Sequence, residues 1–487
     1  MSHNEDIEYT ENLSVHRNQP HHENHEHYDD SDTTHVPFIA DDRLQRSVQK
    51  EDVTDKGYAW FILIISCIVY IIVPGSVKSF GVLYTELLDY YDGGAGNTAR
   101  IPGVLLFLYF GLASVSNYLG EKYTYRVVIG IGSCLVLIGQ TASAFVPKLE
   151  FLYITYGIIT GMGYGLIFGP CSTILSFYFD KKRGLATGIM ASCSGIGNMC
   201  FPYMYKYLIE NYGLPGTILI AGAVYFHVCP VSMFLRQPIY VTRQIVERQA
   251  RQKETQKCGA LKRIFRFDLF KNSKFSVYIT AICLQAANTT SNKVILPGYI
   301  RGLGFGIETI TLAVSLFGAS ELVGRILLGW FADKNVVSRI TIFMICSFIC
   351  AITAFCMPYL PYKPAVIAYA VVIGAFSGSI WGLNQVIIID CVGLKHLSPA
   401  FGLLSMSIGI IICISQPIAG LLEDATGSWT SSFYFVGILS GLAVVLCLLE
   451  RPISHIWCCH RIVADDIIDV SRDIVDKSIP VAYKFNG

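Results

Sequence analysis

Long apolar stretches separated by short polar intervals recur from residue 57 almost to residue 450. About 20 apolar residues suffice for a helix to cross the ~30 Å hydrocarbon core of a bilayer. Such stretches fall at approximately 57–82, 100–120, 127–146, 150–177, 185–207 and 214–235. After a basic interval they resume at 275–300, 308–331, 339–358, 365–389, 399–421 and 430–449. A backbone inside lipid must satisfy its own N–H and C=O groups, which a helix does within one segment. The pattern therefore predicts an all-α membrane protein with about twelve transmembrane helices in two groups of six.

The polar intervals alternate in charge. One set carries Lys122 and Arg126, then Lys181, Lys182 and Arg183, then Lys334 and Arg339. The central segment Arg236–Lys274 holds eleven Lys/Arg against three Asp/Glu. The other set offers little beyond Lys148, Lys206, Arg301 and Lys363. Basic loops stay on the cytoplasmic side, so both termini are expected inside. Six spans, a basic linker and six more spans is the layout of a major facilitator fold, two helical halves around a midplane site. A weak internal echo agrees: Glu121-Lys122 precedes Arg126, and Asp333-Lys334 precedes Arg339. The expected organisation is an acidic, His-rich, disordered cytoplasmic tail 1–56, an N-terminal half 57–236, a basic cytoplasmic linker 237–274, a C-terminal half 275–450 and a cytoplasmic tail 451–487.

Composition narrows the class further. Of 487 residues, 53% are hydrophobic and 15% charged, whereas a soluble domain carries about 25% charged residues. The first 56 residues show no cleavable signal peptide. They hold seven of the eleven histidines, which read as a solvated tail or as a transition-metal site. Many of the sixteen cysteines, including Cys67, Cys134, Cys283 and Cys413, sit in apolar runs and are expected as reduced thiols packing like small hydrophobes. Cys458 and Cys459 follow the last span beside Trp457, a position suited to palmitoylation. There is no phosphate-binding Gly-x-x-x-x-Gly-Lys loop, no Cys/His cluster of structural-metal spacing and no hydrolytic constellation. Neither ATP drive, a cofactor, a metal nor an enzymatic activity is expected.

Three charges lie where a bilayer makes them costly. Glu321 and Arg325 fall near the middle of the run Thr309–Phe331, and Lys78 lies in the stretch Ala59–Leu88. A charge at bilayer depth costs at least ~2.5–3.5 kcal/mol, so such groups face a protein interior or a water-filled path and mark transport sites. Glu321 and Arg325 share one helical face, one turn apart, and can neutralise each other. A carboxylate substrate competing for Arg325 would leave Glu321 without its partner, which favours uptake of a proton. The same pair would also serve as a structural ion pair locking two helices. Pro74 and Gly75 loosen the helix before Lys78, whose ammonium either attracts an anion or snorkels to the interface. Asn288, Asn292 and Lys293, with His227, Asn384 and Gln385, are candidates to line the path, and packing would explain each equally well. Asp390 falls near a helix end and reads as interfacial.

Several motifs go beyond patterning. The first span opens Asp55-Lys-Gly-Tyr-Ala-Trp60. Spans four and five are joined by Tyr178-Phe-Asp-Lys-Lys-Arg183-Gly-Leu-Ala-Thr-Gly188, followed by Ala191-Ser-Cys-Ser-Gly195. Near the eleventh span, Cys391-Val-Gly-Leu precedes Ala400-Phe-Gly-Leu403. Over roughly residues 55–450 the chain resembles the monocarboxylate transporter family of the major facilitator superfamily. Read from the residues alone, Gly184, Gly188, Gly195 and Gly197 give small faces for close helix approach.

The resemblance implies a plasma-membrane carrier of small monocarboxylates such as lactate or pyruvate, moved with a proton by symport and alternating access. It implies that Lys78 and Arg325 bind the anion and that Glu321, with Lys78, couples the proton. Glu321 stands where the family has an aspartate, which keeps the charge and lengthens the arm. The family also contains carriers of aromatic amino acids, thyroid hormone and carnitine-like solutes, some without proton coupling. Some members need a single-span immunoglobulin-domain ancillary glycoprotein. A non-transporting sensor or interaction protein on the same fold is the alternative of a different class.

Overall fold

The computed structural model describes residues 55–91, 93–179, 182–238, 242, 269–270, 272–334, 337–392 and 397–456. For 183–184, 329, 332–333, 379–380, 382–386, 389–390, 397–399 and 451–456 it describes the backbone alone. The His-rich tail to residue 54, most of the basic linker, Lys181, and Cys458 and Cys459 lie outside the described residues.

The described chain is helical almost throughout. The first half contains α1 (Gly57–Lys78), α2 (Phe80–Tyr91), α3 (Ala95–Gly111), α4 (Ala113–Lys122), α5 (Tyr125–Ala144), α6 (Leu149–Leu152), α7 (Gly161–Tyr178), α8 (Arg183–Phe226) and α9 (Val228–Ser232). A π-helical segment, Tyr153–Thr160, joins α6 to α7. The second half contains α10 (Ser273–Gly302), α11 (Ile307–Asp333), α12 (Arg339–Cys356), α13 (Lys363–Val392), α14 (Leu397–Thr426) and α15 (Thr430–Ile456).

These helices make twelve rods. Six are α1–α2, α3–α4, α5, α6–α7 and the two arms of α8, and six more are α10 to α15 taken singly. On length and apolar content alone, eight segments qualify to cross a membrane, and nine if the pair α3–α4, bent by 43°, is one span. Three rods remain, the second arm of α8, α10 and α13. Gly213 divides α8 at φ 66°, in the left-handed region that favours glycine. Pro215 follows two residues on, and Thr217 Oγ1 donates to the Gly213 carbonyl at 2.7 Å. The middle of α10 carries Gln285, Asn288, Asn292 and Lys293, which lowers its apolar content. In α13 the side chains are described as far as Gly378 and at few positions beyond it, although the helix itself runs to Val392.

Within the first half, α5 packs on α7 and α8, and α1 on α8; within the second, α10 packs on α14 and α15, and α11 on α13. The halves meet where α3 lies on α14, α8 on α11 and α2 on α10. Tyr84, Tyr164, Tyr205, Tyr225 and Phe433 are fully buried, while Ile131, Ile138, Phe348 and Leu448 are exposed on the outside of the bundle. Large apolar side chains spread over an outer surface suit lipid better than water.

The upper end of the bundle is the one carrying loops 93–94, 145–148, 303–306, 357–362 and 427–429. Polar contacts tie the halves there. Asp424 at the end of α14 accepts 2.7 Å hydrogen bonds from the backbone N–H groups of Ala95 and Gly96, capping α3. Lys206 of α8 pairs with Glu308 of α11 at 3.0 Å, and Arg301 of α10 pairs with Asp89 of α2.

Candidate functional site

Three close helix crossings bring the intramembrane charges together. At the α1–α8 crossing, a Cβ on Gly75 would lie 2.6 Å from the Gly197 Cα. The two backbones touch, which places Lys78, one turn after Gly75, beside Ser194, one turn before Gly197. At the α8–α11 crossing, Gly318 lies against Asn198 and Gly195 against Leu322, so the face of α8 that carries Ser194 meets Glu321 and Arg325. Gly378 of α13 packs against the Glu321 side chain and completes the enclosure.

The result is one connected cluster drawn from both halves. Lys78 Nζ pairs with Glu321 Oε1 and donates to Ser194 Oγ at 2.8 Å. Arg325 pairs through Nη2 with the same Oε1. Its Nη1 donates to the Ala191 carbonyl at 2.7 Å and to Ser194 Oγ at 3.4 Å, and its Nε to the Gly378 carbonyl at 3.0 Å. Ser194 Oγ in turn donates a hydrogen bond to the Ala191 carbonyl at 2.7 Å. Glu321 is 2% exposed. Its other oxygen, Oε2, has no hydrogen-bond partner among the described residues. Two cations thus crowd one carboxylate oxygen and leave the second bare.

Against the expectation that Pro74 and Gly75 loosen it, the helix runs unbroken through both and ends at Lys78, with Ser79 between α1 and α2. Ser79 Oγ donates to Asn198 Oδ1 at 3.2 Å, a second polar link between α1–α2 and α8.

The other candidates divide. Lys293 is half-buried in the middle of α10, with its main-chain carbonyl against Gly81 of α2. Asn292 donates to Asn288 Oδ1 at 2.7 Å and accepts from Tyr369 of α13 at 2.6 Å, all inside the second half. His227 sits at the α8–α9 junction, its Nδ1 2.9 Å from the Ala223 carbonyl. Asn384, Gln385 and Asp390 lie on α13, and their side chains are outside the described residues. Sequence reasoning missed Ser194 and the Ala191 and Gly378 carbonyls. The available signal was a serine inside a glycine-rich helix face, which reads first as packing.

The two signature blocks also meet. The Asp55 N–H donates to the Tyr178 carbonyl at 2.9 Å, and the Lys182 N–H donates to Asp55 Oδ1 at 3.3 Å. Trp60 packs edge-on against Phe179, and the Lys182 ammonium lies 5.6 Å from the Trp60 ring centroid. The start of α1 is thereby fastened to the α7–α8 connection.

Comparison with known proteins agrees with this architecture. Residues 66–370 and 278–457 match the family model of the Major Facilitator Superfamily. Monocarboxylate transporter 12 of Xenopus laevis is 26% identical over 427 residues, covering 85% of this chain and 92% of that protein. Monocarboxylate transporter 13 of Rattus norvegicus is 24% identical over 436 residues, covering 89% and 98%. Among solved structures, the xylose transporter XylE from E. coli, in a partially occluded inward-open conformation, superposes with a TM-score of 0.64 at 12% identity. That match covers 81% of this chain and 98% of XylE, and it bears on the fold. The chain belongs to the Major Facilitator Superfamily, and among its members it is similar to monocarboxylate transporters 12 and 13. It is a multi-pass membrane transporter and not an enzyme.

Proposed function

We propose that this protein carries small monocarboxylates such as lactate or pyruvate, each with a proton, by alternating access in the plasma membrane. Both termini and the lower end of the bundle face the cytoplasm in this reading, in keeping with the basic loops. A single-span immunoglobulin-domain glycoprotein as escort to the surface belongs to the same reading.

The observation that carries it is the sharing of Glu321 Oε1 by Lys78 and Arg325, with Oε2 unpartnered. An incoming carboxylate takes the place of Glu321 as partner of the two cations. Glu321, left in a poorly solvated site without its neutralising partners, then takes up a proton. Binding of anion and proton is thereby coupled, and the loaded site carries no more net charge than the empty one. Because Lys78 belongs to one half and Arg325 to the other, the anion bridges the parts that rock against each other.

Uptake of labelled lactate into vesicles holding the purified protein, with and without an inward proton gradient, tests this. Accumulation driven by the gradient supports symport. Uptake indifferent to the gradient overturns the coupling and leaves facilitated carriage.

A further inference from the structure

We infer that the cleft between α8 and α11 binds one phospholipid with a zwitterionic headgroup, taken from the leaflet at the upper end of the bundle. The inference stands apart from the carboxylate reading and does not depend on it.

The two helices belong to different halves and run antiparallel. They touch at Gly318 and Asn198, where a Cβ on the glycine would lie 2.8 Å from the Asn198 Cβ. Above that crossing they part. The gap is a cleft of about 420 Å³, lined by Met199, Cys200 and Tyr203 of α8 and by Ser315, Leu316 and Ala319 of α11. Lys206 of α8 and Glu308 of α11 roof it with their 3.0 Å ion pair. Met199, Tyr203 and Tyr207, spaced four apart on one face of α8, are exposed, so the cleft opens onto the outer apolar surface.

The walls are layered as a phospholipid is. Met199, Leu316 and Ala319 form an apolar lower part that suits an acyl chain. At the back, the Ser315 hydroxyl is buried and has no hydrogen-bond partner among the described residues. The same holds for Thr311, one turn above on the same face of α11. A buried hydroxyl without a partner is costly, so both call for an acceptor from outside the protein. A helix rises 1.5 Å per residue, which puts Thr311 and Ser315 roughly 4 and 10 Å below Glu308. The headgroup layer of one leaflet is roughly 5–8 Å thick. These hydroxyls therefore sit at the depth of the ester carbonyls of a glycerophospholipid.

The mouth selects the headgroup. Lys206 also lies 3.7 Å from Glu210, so one ammonium stands between two exposed carboxylates. A zwitterionic headgroup complements that set, with its phosphate on Lys206 and its ammonium on Glu210 and Glu308. An anionic headgroup would add negative charge to a mouth that already has an excess of it. A sterol, with its single hydroxyl, would leave Ser315 and Thr311 bare. A lipid seated here touches both halves, and opening of the upper end parts α8 from α11. Its binding therefore favours the conformation in which the upper end is closed.

The test is native mass spectrometry of the purified full-length protein in detergent, offered phosphatidylcholine, phosphatidylglycerol and cholesterol. The wild type is expected to retain one phosphatidylcholine and to prefer it to phosphatidylglycerol by about fivefold, the effect of one charge at the headgroup. Cys200→Trp and Ala319→Phe fill the cleft from its two walls. Each is expected to lower the affinity for phosphatidylcholine by about tenfold, as if about two methylene groups lost their contacts. Cys200 is exposed, so Cys200→Trp decides the matter should Ala319→Phe not yield folded protein. Undiminished retention of phosphatidylcholine by either folded variant overturns the inference. So does equal retention of phosphatidylglycerol by the wild type, or displacement of its phosphatidylcholine by cholesterol.

Discussion

Lys78 of α1 and Glu321 of α11 form an ion pair across the two halves of the molecule, 243 residues apart in sequence. Both side chains are withdrawn from solvent, with 13% and 3% of the side-chain surface exposed. Because Arg325 shares the same Glu321 oxygen, Lys78→Met still leaves the carboxylate a partner, whereas Glu321→Gln leaves two buried cations without a counter-charge, at a cost of about 3 kcal/mol. Glu321→Gln is expected to lower the thermal unfolding midpoint markedly, and Lys78→Met with Glu321→Gln to recover part of the loss. A double-mutant cycle on thermal stability in detergent measures that coupling. Additive effects would show that the pair is not an energetic unit.

Glu321→Gln separates anion binding from proton uptake. The amide keeps the shape and an acceptor for Lys78 and Arg325 but has no carboxylate to protonate. In the wild type, lactate uptake is expected to rise as the external pH falls, because Glu321 binds its proton from that side. In the variant the slope is expected to flatten. Initial rates at two external pH values check this, and an undiminished slope in Glu321→Gln would assign the proton elsewhere.

The fold was largely legible in the hydrophobic pattern because lipid imposes a length on every span. The boundaries moved where a local backbone device intervened: the second rod begins at Ala95 rather than near residue 100, with its first turn capped from α14 by Asp424. Glu321 and Arg325 were legible as a pair because helical spacing alone puts them on one face. Their link to Lys78 was not, since nothing local connects α1 to α11. It arises from the Gly75–Gly197 and Gly318–Asn198 crossings, whose close approach depends on tertiary packing. Ser194 escaped notice for the same reason, because a serine shows its role only once two cations are seen pointing at it.

Asp424 predicts a bias between conformations. Its carboxylate caps the N-terminus of α3 from the other half, and an anionic cap of this kind contributes about 1 kcal/mol. Asp424→Ala is expected to shift the balance away from the closed upper end by about fivefold. Spin labels on the 93–94 and 427–429 loops would report this as a larger population of long distances. Asp424→Asn, which keeps an acceptor and loses the charge, is expected to fall between the two. An unchanged distance distribution in Asp424→Ala would reduce the contact to a local helix cap.

Gly75 offers the most stringent test of how the site is held. A Cβ there would approach the Gly197 Cα to 2.6 Å, backbone against backbone, so neither partner can yield without moving a helix. Overpacking of this kind costs about 1–3 kcal/mol. More to the point, it displaces α1 from α8 just where Lys78 reaches Ser194 at 2.8 Å. Gly75→Ala is therefore expected to raise the KM for carboxylate as well as lower thermal stability. Gly441 is the control, since a Cβ there meets nothing within 4 Å. Gly441→Ala relieves the helix of a glycine and is expected to stabilise the protein by up to about 1 kcal/mol. Stability and uptake measured side by side for the two variants check both expectations. If Gly75→Ala lost stability but kept its KM, the crossing would be holding the bundle together without setting the position of Lys78.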